Sequence, residues 1–201
     1  MGKGEKEKKD LYIEGVQNNG IINHYEYIIN SEGTIEIRHV LKPEGKMPLW
    51  FPRIGLTLTV SDALDQVKWY GRGPQENYPD RKTGYPTGIY ASTVQAMYEP
   101  YLMPQDYGLR TDVRWLQLTT DKGIGLQFKM NEWFNFNIYP YSTDNLTKAM
   151  YTYQLQKQKG MTLNLDYATT GIGCTARGVF GAYKAMPQEY RRTISIKPMM
   201  K

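Results

Sequence analysis

Apolar and polar residues alternate with a period of two in one segment after another, and this pattern constrains the fold more than any other feature. In residues 54–60, four aliphatic side chains alternate with glycine and threonine, which places the aliphatic side chains on one face of a half-buried strand. The same alternation recurs in residues 35–41, 124–130, 134–138 and 161–167. The pattern is typical of a sheet protein.

Turn-forming residues between these segments predict hairpins, which join residues 25–29 to 35–41 and 113–119 to 124–130. Strands spaced in this way predict an all-β fold, a large antiparallel sandwich of two packed sheets. We expect at most one short helix, from Thr143 to Ala149, with Ser142 or Thr143 as its cap. The stretches 73–87 and 98–108 are irregular and rich in proline, so we expect long ordered loops there.

The length of 201 residues and a hydrophobic fraction of 40% fit one domain with a real core. We place this domain at residues 12–201, after a charged arm at residues 1–11. The net charge of +5 raises the question of nucleic acid, but the N-terminal lysines are interleaved with acidic residues and no basic patch is evident. We therefore expect no nucleic-acid partner.

Cys174 is the only cysteine, which excludes an intramolecular disulfide and a cysteine-based zinc site, and we expect it to be a buried thiol. No stretch of about 18 apolar residues and no signal-peptide pattern is visible, so we expect no membrane association. The sequence leaves the compartment open between cytoplasm and periplasm. No metal site is predicted.

Paired carboxylates are the residues that a glycosidase needs, about 5 to 10 Å apart across a sugar. Glu76 and Asp80 are the best candidates in sequence, but Arg72 and Arg81 flank them. Because carboxylates beside arginine stay ionised and are usually structural, we expect an ordered brace in which Glu76 or Asp80 pairs with Arg72 or Arg81. We assign no catalytic residue.

Histidine, serine and glycine motifs offer no alternative active site. His24 and His39 are the only histidines, and His39 lies on the apolar face of its strand, where we expect a hydrogen-bonded core histidine. No serine has the glycine-flanked setting of a nucleophile, and the glycines at 71 and 73 lead into Pro74 rather than a helix. Taken alone, the residues predict no complete active site.

The run from residue 69 to residue 81 resembles the small-chain signature of family 2 glycoside hydrolases of the β-galactosidase type. The residues that carry this resemblance are Trp69, Arg72, Glu76, Asn77, Tyr78, Asp80 and Arg81. Further segments follow the family's order, at residues 52–56, 98–101, 104–110, 171–173 and 187–191. The similarity extends from about residue 12 to residue 196.

The resemblance implies a supersandwich related to galactose mutarotase, which forms the C-terminal module of a larger enzyme. In that family both catalytic glutamates lie in a separate barrel, so the resemblance implies that this chain is inactive alone. Its partners would be the remaining domains of the parent enzyme, and it would meet a β-galactoside only through that parent. The resemblance implies no cofactor in this chain, and any Mg or Na ion would belong to the barrel.

The family's module supplies one tryptophan to the active-site mouth, shortly after a Gly-Ile-Gly run. Here that run is 171–173, and no tryptophan follows it. Phe180 and Tyr183 are the candidate replacements, with Arg177 as a further sugar-binding residue; the alternative is that both rings are core residues. Two other functions remain open: a free-standing carbohydrate-binding module, which needs exposed aromatic rings, and a mutarotase-like sugar epimerase, which needs a positioned acid and base.

Overall fold

The structure is a computed structural model that describes residues 5–14, 20–174 and 178–200, the first of these ranges by its backbone. Within these ranges the chain forms ten strands, one short α-helix and three 3₁₀ turns. The strands are β1 Glu5–Glu14, β2 Gly20–Ile29, β3 Ile35–Glu44, β4 Arg53–Val60, β5 Gln66–Arg72, β6 Thr87–Thr93, β7 Arg110–Thr119, β8 Gly125–Tyr139, β9 Met161–Thr169 and β10 Tyr190–Met199. The helix α1 spans Thr143–Lys148, and the 3₁₀ turns span Gln95–Met97, Thr152–Gln154 and Gly181–Tyr183.

All strand pairs among the described residues are antiparallel, in the order β1-β2-β3-β10-β8-β7-β5-β6. Strand β8 is the branch point, because its first part pairs with β10 and its second part with β9, which in turn pairs with β4. A strand that passes from one set of neighbours to another in this way lets two sheet regions enclose a common core. The predicted all-β fold is confirmed.

Both predicted hairpins are present, as β2–β3 and β7–β8. The turn before β3 is closed by Asn30, whose Oδ1 accepts hydrogen bonds from the amides of Glu32 and Thr34, each at 3.0 Å. The predicted helix is also present, and the Ser142 hydroxyl accepts a hydrogen bond from the Asn145 amide at 3.0 Å, as an N-cap residue does. No helix in the described ranges is long and apolar enough to cross a membrane.

Strands β8 and β9 differ from the expectation. The two alternating segments at 124–130 and 134–138 lie in one strand of 15 residues instead of two. In β9 the polar positions are buried together with the apolar ones, because Thr162, Asn164 and Asp166 each have polar partners inside the fold. Alternation therefore identified the strand but not the burial of its second face.

Strand β1 pairs with β2 along its whole length and runs across the boundary drawn between residues 11 and 12.

The expectation of a buried Cys174 is wrong, since its side chain is exposed. It directly follows Gly173, whose φ of 65° turns the chain at the surface.

His39 is a hydrogen-bonded core residue, as predicted. Its Nε2 lies 3.0 Å from Asn23 Oδ1 and its Nδ1 lies 2.7 Å from the Tyr167 hydroxyl, while the Tyr25 ring stacks on it at 4.1 Å between centroids. Burial lowers the pKa of His39 to about 4. The neutral ring uses one nitrogen as donor and the other as acceptor, so both nitrogens are occupied.

Candidate functional site

The signature loop, residues 69–81, leaves the end of β5 and is anchored by Trp69. This indole is fully buried, packs edge-on against Phe136 and donates its Nε1 hydrogen to the Arg72 carbonyl at 3.0 Å. The Arg110 guanidinium lies 5.4 Å from the centre of the Trp69 ring. Trp69 is therefore a core residue of the loop.

Glu76 is the centre of the loop's polar contacts, with 5% of its surface exposed. Its carboxylate accepts hydrogen bonds from Arg81 Nη2 at 2.7 Å, the Gly108 amide at 2.8 Å, the Tyr78 hydroxyl at 3.3 Å and the Tyr101 hydroxyl. Burial acts to raise the pKa of Glu76, but the bonds from Tyr101, Gly108 and Arg81 outweigh it and lower the pKa. The predicted ion pair within the loop is thus present, as Glu76 with Arg81.

Arg72 has a partner that the sequence did not indicate. Its Nε donates to Asp112 Oδ2 at 2.5 Å, and Lys82 Nζ donates to the other oxygen of Asp112 at 2.6 Å. Asp112 has a φ of 54°, a left-handed conformation that interrupts β7 and turns its carboxylate toward these cations. Arg72 and Asp112 are 40 residues apart in sequence, so no pattern of neighbouring residues predicts this pair.

Asn77 is fully buried and joins the loop to β7. Its backbone amide donates to the Leu109 carbonyl at 2.8 Å. Its side-chain Oδ1 accepts from the Thr111 amide at 3.1 Å and the Thr111 hydroxyl at 2.5 Å, and its Nδ2 donates to the Gln75 carbonyl at 3.1 Å. An amide with both functions used in this way cannot turn toward a ligand.

Asp80 binds the segment after β9. Its Oδ1 accepts from the Ile172 amide at 3.1 Å and its Oδ2 from the Gly173 amide at 2.7 Å. The signature loop therefore contacts the Gly-Ile-Gly run directly.

The predicted sugar-binding rings lie on the surface. Phe180 is 66% exposed and Tyr183 is 39% exposed, so the alternative that both are core residues is wrong. Arg177 lies outside the described residues. The segment that carries the rings returns to β9 through the Tyr183 carbonyl, which accepts from the Gly171 amide at 2.8 Å.

A cleft of about 520 Å³ adjoins this segment, within the size range of small-molecule sites. Its lining includes Gly171, Ile172 and Val179 from the segment, and Trp50, which is 38% exposed, from the chain before β4. Polar residues complete the wall: Arg53, Gln105, Asp106, Thr143, Thr169 and Thr170. A cleft with an aromatic ring and several hydroxyl, amide and charged groups can bind a sugar, which offers an apolar face and many hydroxyls.

Arg53 organises the polar wall of the cleft. Its guanidinium donates to Asp166 Oδ2 at 2.8 Å, to Asn137 Oδ1 at 3.2 Å and to Asp106 Oδ1 at 3.4 Å. Burial raises the pKa of Asp166 to about 6, with Arg53 opposing the rise. Asp106 is exposed in the cleft and also accepts from Asn137 Nδ2 at 2.8 Å, which holds its orientation.

Sequence reasoning did not select Arg53 or Asp106 as site residues. Both lie in segments that follow the family's order, 52–56 and 104–110, which is the signal that could have found them. In the described part of the chain, no group of three or more His, Cys, Asp or Glu side chains is arranged to hold a metal ion.

A comparison with solved structures identifies the fold. The chain matches a GalM/aldose epimerase homologue from C. elegans with a TM-score of 0.50, over 97% of this chain and 66% of that one, at 12% sequence identity. This match shows the fold, which is of the galactose mutarotase type.

The sequence comparisons identify the family. Residues 4–196 match the β-galactosidase small chain family, and the chain belongs to it. It is 37% identical to a β-galactosidase of Priestia megaterium over 147 residues, 73% of this chain and 14% of that protein. It is 38% identical to one of Vibrio cholerae over 122 residues, 61% of this chain and 11% of that protein. The chain thus spans a small part of the relatives' length.

Proposed function

We propose that this chain is the non-catalytic β-sandwich module of a β-galactosidase-like glycoside hydrolase, which hydrolyses terminal β-galactosides. In that enzyme the module braces the catalytic barrel, and its cleft forms one wall of the sugar pocket. The observation that carries the second point is the cleft itself, in which Trp50 and Asp106 are exposed beside the segment 171–183. The proposal that the chain is one module of a larger enzyme is supported by its family membership and by its match to only 14% of the length of the Priestia megaterium relative.

The proposal of a non-catalytic module is supported by how the acidic residues are used. A glycosidase acid must take up and release a proton, and its partner must face the sugar. Glu76 is buried and bonded to Arg81 and Tyr101, and Asp166 is buried against Arg53. Because these carboxylates are already paired and hydrogen-bonded inside the fold, their contacts support a structural role.

The remaining domains of the parent enzyme are the partners we propose for this chain. The substrate would reach the cleft in the assembled enzyme, where the barrel closes the other side. We propose no cofactor in this chain, and place any Mg or Na ion in the barrel. No nucleic acid or membrane partner is part of this proposal.

The first test is hydrolysis of a chromogenic β-galactoside by the 201-residue chain, for which we expect no turnover. The matched variant is Glu76→Gln, which removes the charge of the best carboxylate candidate. Turnover by the chain that this substitution abolishes would show that the module is catalytic, against the proposal.

The second test uses the full-length polypeptide that carries this chain. We expect Trp50→Ala and Asp106→Ala to raise KM about fivefold or more, because each removes about one favourable contact to the sugar, with little change in kcat. Ile89→Ala is the control, since Ile89 is exposed on β6 and outside the cleft. An unchanged KM in both cleft variants would remove the sugar-pocket role.

A free-standing carbohydrate-binding module is the second candidate, favoured by the exposed rings of Phe180 and Tyr183. Titration of galactose into the chain separates the two. Because one-sided stacking barely exceeds the cost of immobilising the ligand, a wall of a larger pocket should bind free galactose at millimolar affinity or weaker. Micromolar binding would favour the free-standing module.

An epimerase is not favoured, since both nitrogens of His39 are occupied inside the core.

A further inference from the structure

Asp80 makes a two-point contact between the signature loop and the segment 171–183. The two carboxylate oxygens accept from two consecutive amides, those of Ile172 at 3.1 Å and Gly173 at 2.7 Å. Successive N–H groups that converge in this way form a binding site for an anion, and here the anion is a side chain 92 and 93 residues distant in sequence.

Gly171 shows how closely the carboxylate lies against this backbone. A Cβ atom added at Gly171 would lie 2.4 Å from Asp80 Cγ and 2.5 and 2.6 Å from its two oxygens. No residue other than glycine fits at 171 while the carboxylate keeps its position. Asp80 and Gly171 therefore depend on each other.

The two amides that precede Ile172 are also hydrogen-bonded. The Gly171 amide donates to the Tyr183 carbonyl at 2.8 Å, and the preceding Thr170 amide donates to the Pro52 carbonyl at 2.9 Å. Four consecutive amides, from Thr170 to Gly173, thus have fixed acceptors, two of them on Asp80. Because Gly171 and Ile172 line the cleft, the carboxylate determines the position of one cleft wall from outside the lining.

We propose that Asp80 is a positioning residue for sugar binding, which acts through the backbone of Gly171–Gly173 and sets the placement of Phe180 and Tyr183 beside the cleft. This inference rests on the proposed function, because it assigns the segment a sugar-facing role. Asp80 itself contacts no sugar in this arrangement. Its contribution is to restrict the segment before the ligand arrives, which lowers the entropy cost of binding.

The first experiment measures amide hydrogen exchange of the full-length polypeptide carrying Asp80→Ala. We expect exchange at Ile172 and Gly173 to accelerate about tenfold or more, because the loss of the acceptors opens the segment locally. Peptides from β7 and β8 report whether the rest of the module is intact. Exchange that stays unchanged at 172 and 173 would overturn the positioning role and leave the proposed function standing.

The second experiment is a double-variant cycle with Gly171→Ala. Each single substitution should release the segment, one by removing the carboxylate and the other by displacing it. In Asp80→Ala/Gly171→Ala the new Cβ enters the space that the carboxylate has vacated, so the double variant should be no worse than Gly171→Ala alone. Additive effects on exchange would mean that the two residues act independently, against the proposal.

The third experiment measures kinetics of the same full-length variants. We expect Asp80→Ala to raise KM about fivefold with kcat changed less than about twofold, and Asp80→Asn, which keeps one acceptor oxygen, to fall between. Asp62→Ala, at an exposed turn, is the matched control. Accelerated exchange with an unchanged KM would show that Asp80 holds the segment but does not position it for a sugar, which overturns this inference. The Trp50→Ala and Asp106→Ala variants test the sugar-pocket role separately, so the two failures are distinguishable.

Discussion

The signature loop follows the family's order in sequence, whereas the segment 171–183 follows it only in the run 171–173 and lacks the family's tryptophan after it. In the loop, Glu76 and Asn77 are buried and their polar atoms are bonded within the fold. In the segment, Phe180 and Tyr183 are exposed, and Val179, next to Phe180 in sequence, lines the cleft. The family's most recognisable run is thus bonded within the fold, whereas Phe180 and Tyr183 in the other segment are exposed.

Asp80 is the residue at which the two regions meet. The charges of Glu76 and Arg81 are paired within the loop, and Asp80 joins the loop to the backbone of Gly171–Gly173. The comparison therefore predicts large stability effects at Glu76 in the loop, and effects on binding with little loss of stability at Phe180. Asp80 is the one loop residue at which we expect an effect on binding.

The largest effect is expected from Glu76→Ala. It removes the acceptor shared by Arg81, Tyr101 and the Gly108 amide and leaves a guanidinium without its partner. We expect a loss of about 3 kcal/mol in the free energy of unfolding, measured by urea denaturation of the chain. Asp121→Ala, at an exposed turn, should change it by less than about 0.5 kcal/mol. A loss of less than about 1 kcal/mol for Glu76→Ala would contradict the description of the loop as a brace.

The next effect is the pH dependence of the stability that Glu76 contributes to the fold. The pKa of Glu76 is lowered from its usual 4.5 in the folded state, so its ionised form stabilises the fold above pH 4.5. That stability is lost as the pH falls through the folded-state pKa. Glu76→Gln should therefore cost about 2 kcal/mol at neutral pH and progressively less as the pH falls below 4.5. Parallel stability profiles for the two proteins between pH 7 and pH 3 would show that the charge of Glu76 is not what holds the loop.

The fold could be predicted largely from the sequence because strands, turns and the helix cap depend on neighbours a few residues apart. The alternation at 54–60, the hairpin turn at Asn30 and the cap at Ser142 are all signals of this kind. Burial of both faces of β9 was not predictable, since it depends on partners such as Arg53, 113 residues from Asp166.

The site was predictable in part, and for the same reason. The pair of Glu76 and Arg81 spans five residues and was expected, whereas the Arg53 contacts to Asp106 and Asn137 join distant segments. The sequence left open whether Phe180 is a sugar-binding ring or a core residue, because the resemblance places its segment at the active-site mouth while its neighbours in sequence give no signal of exposure. The expected pair of Glu76 or Asp80 with Arg72 or Arg81 is formed by Glu76, whereas the contact of Asp80 with two backbone amides has no sequence signal beyond the glycine at 171.

The smallest effect on stability, and the sharpest one on binding, is expected from Phe180→Ala. Because the ring is 66% exposed, its removal should change the free energy of unfolding by less than about 0.5 kcal/mol. If the ring stacks on a sugar face in the full-length polypeptide, KM should rise about fivefold, the factor that corresponds to about 1 kcal/mol of ring packing. Tyr183→Ala should act in the same direction, with a somewhat larger loss of stability since Tyr183 is less exposed. Tyr183→Phe keeps the ring and tests the hydroxyl separately. Lost stability with unchanged KM in both alanine variants would assign the rings to packing, and the contrast between the signature loop and this segment would then fail.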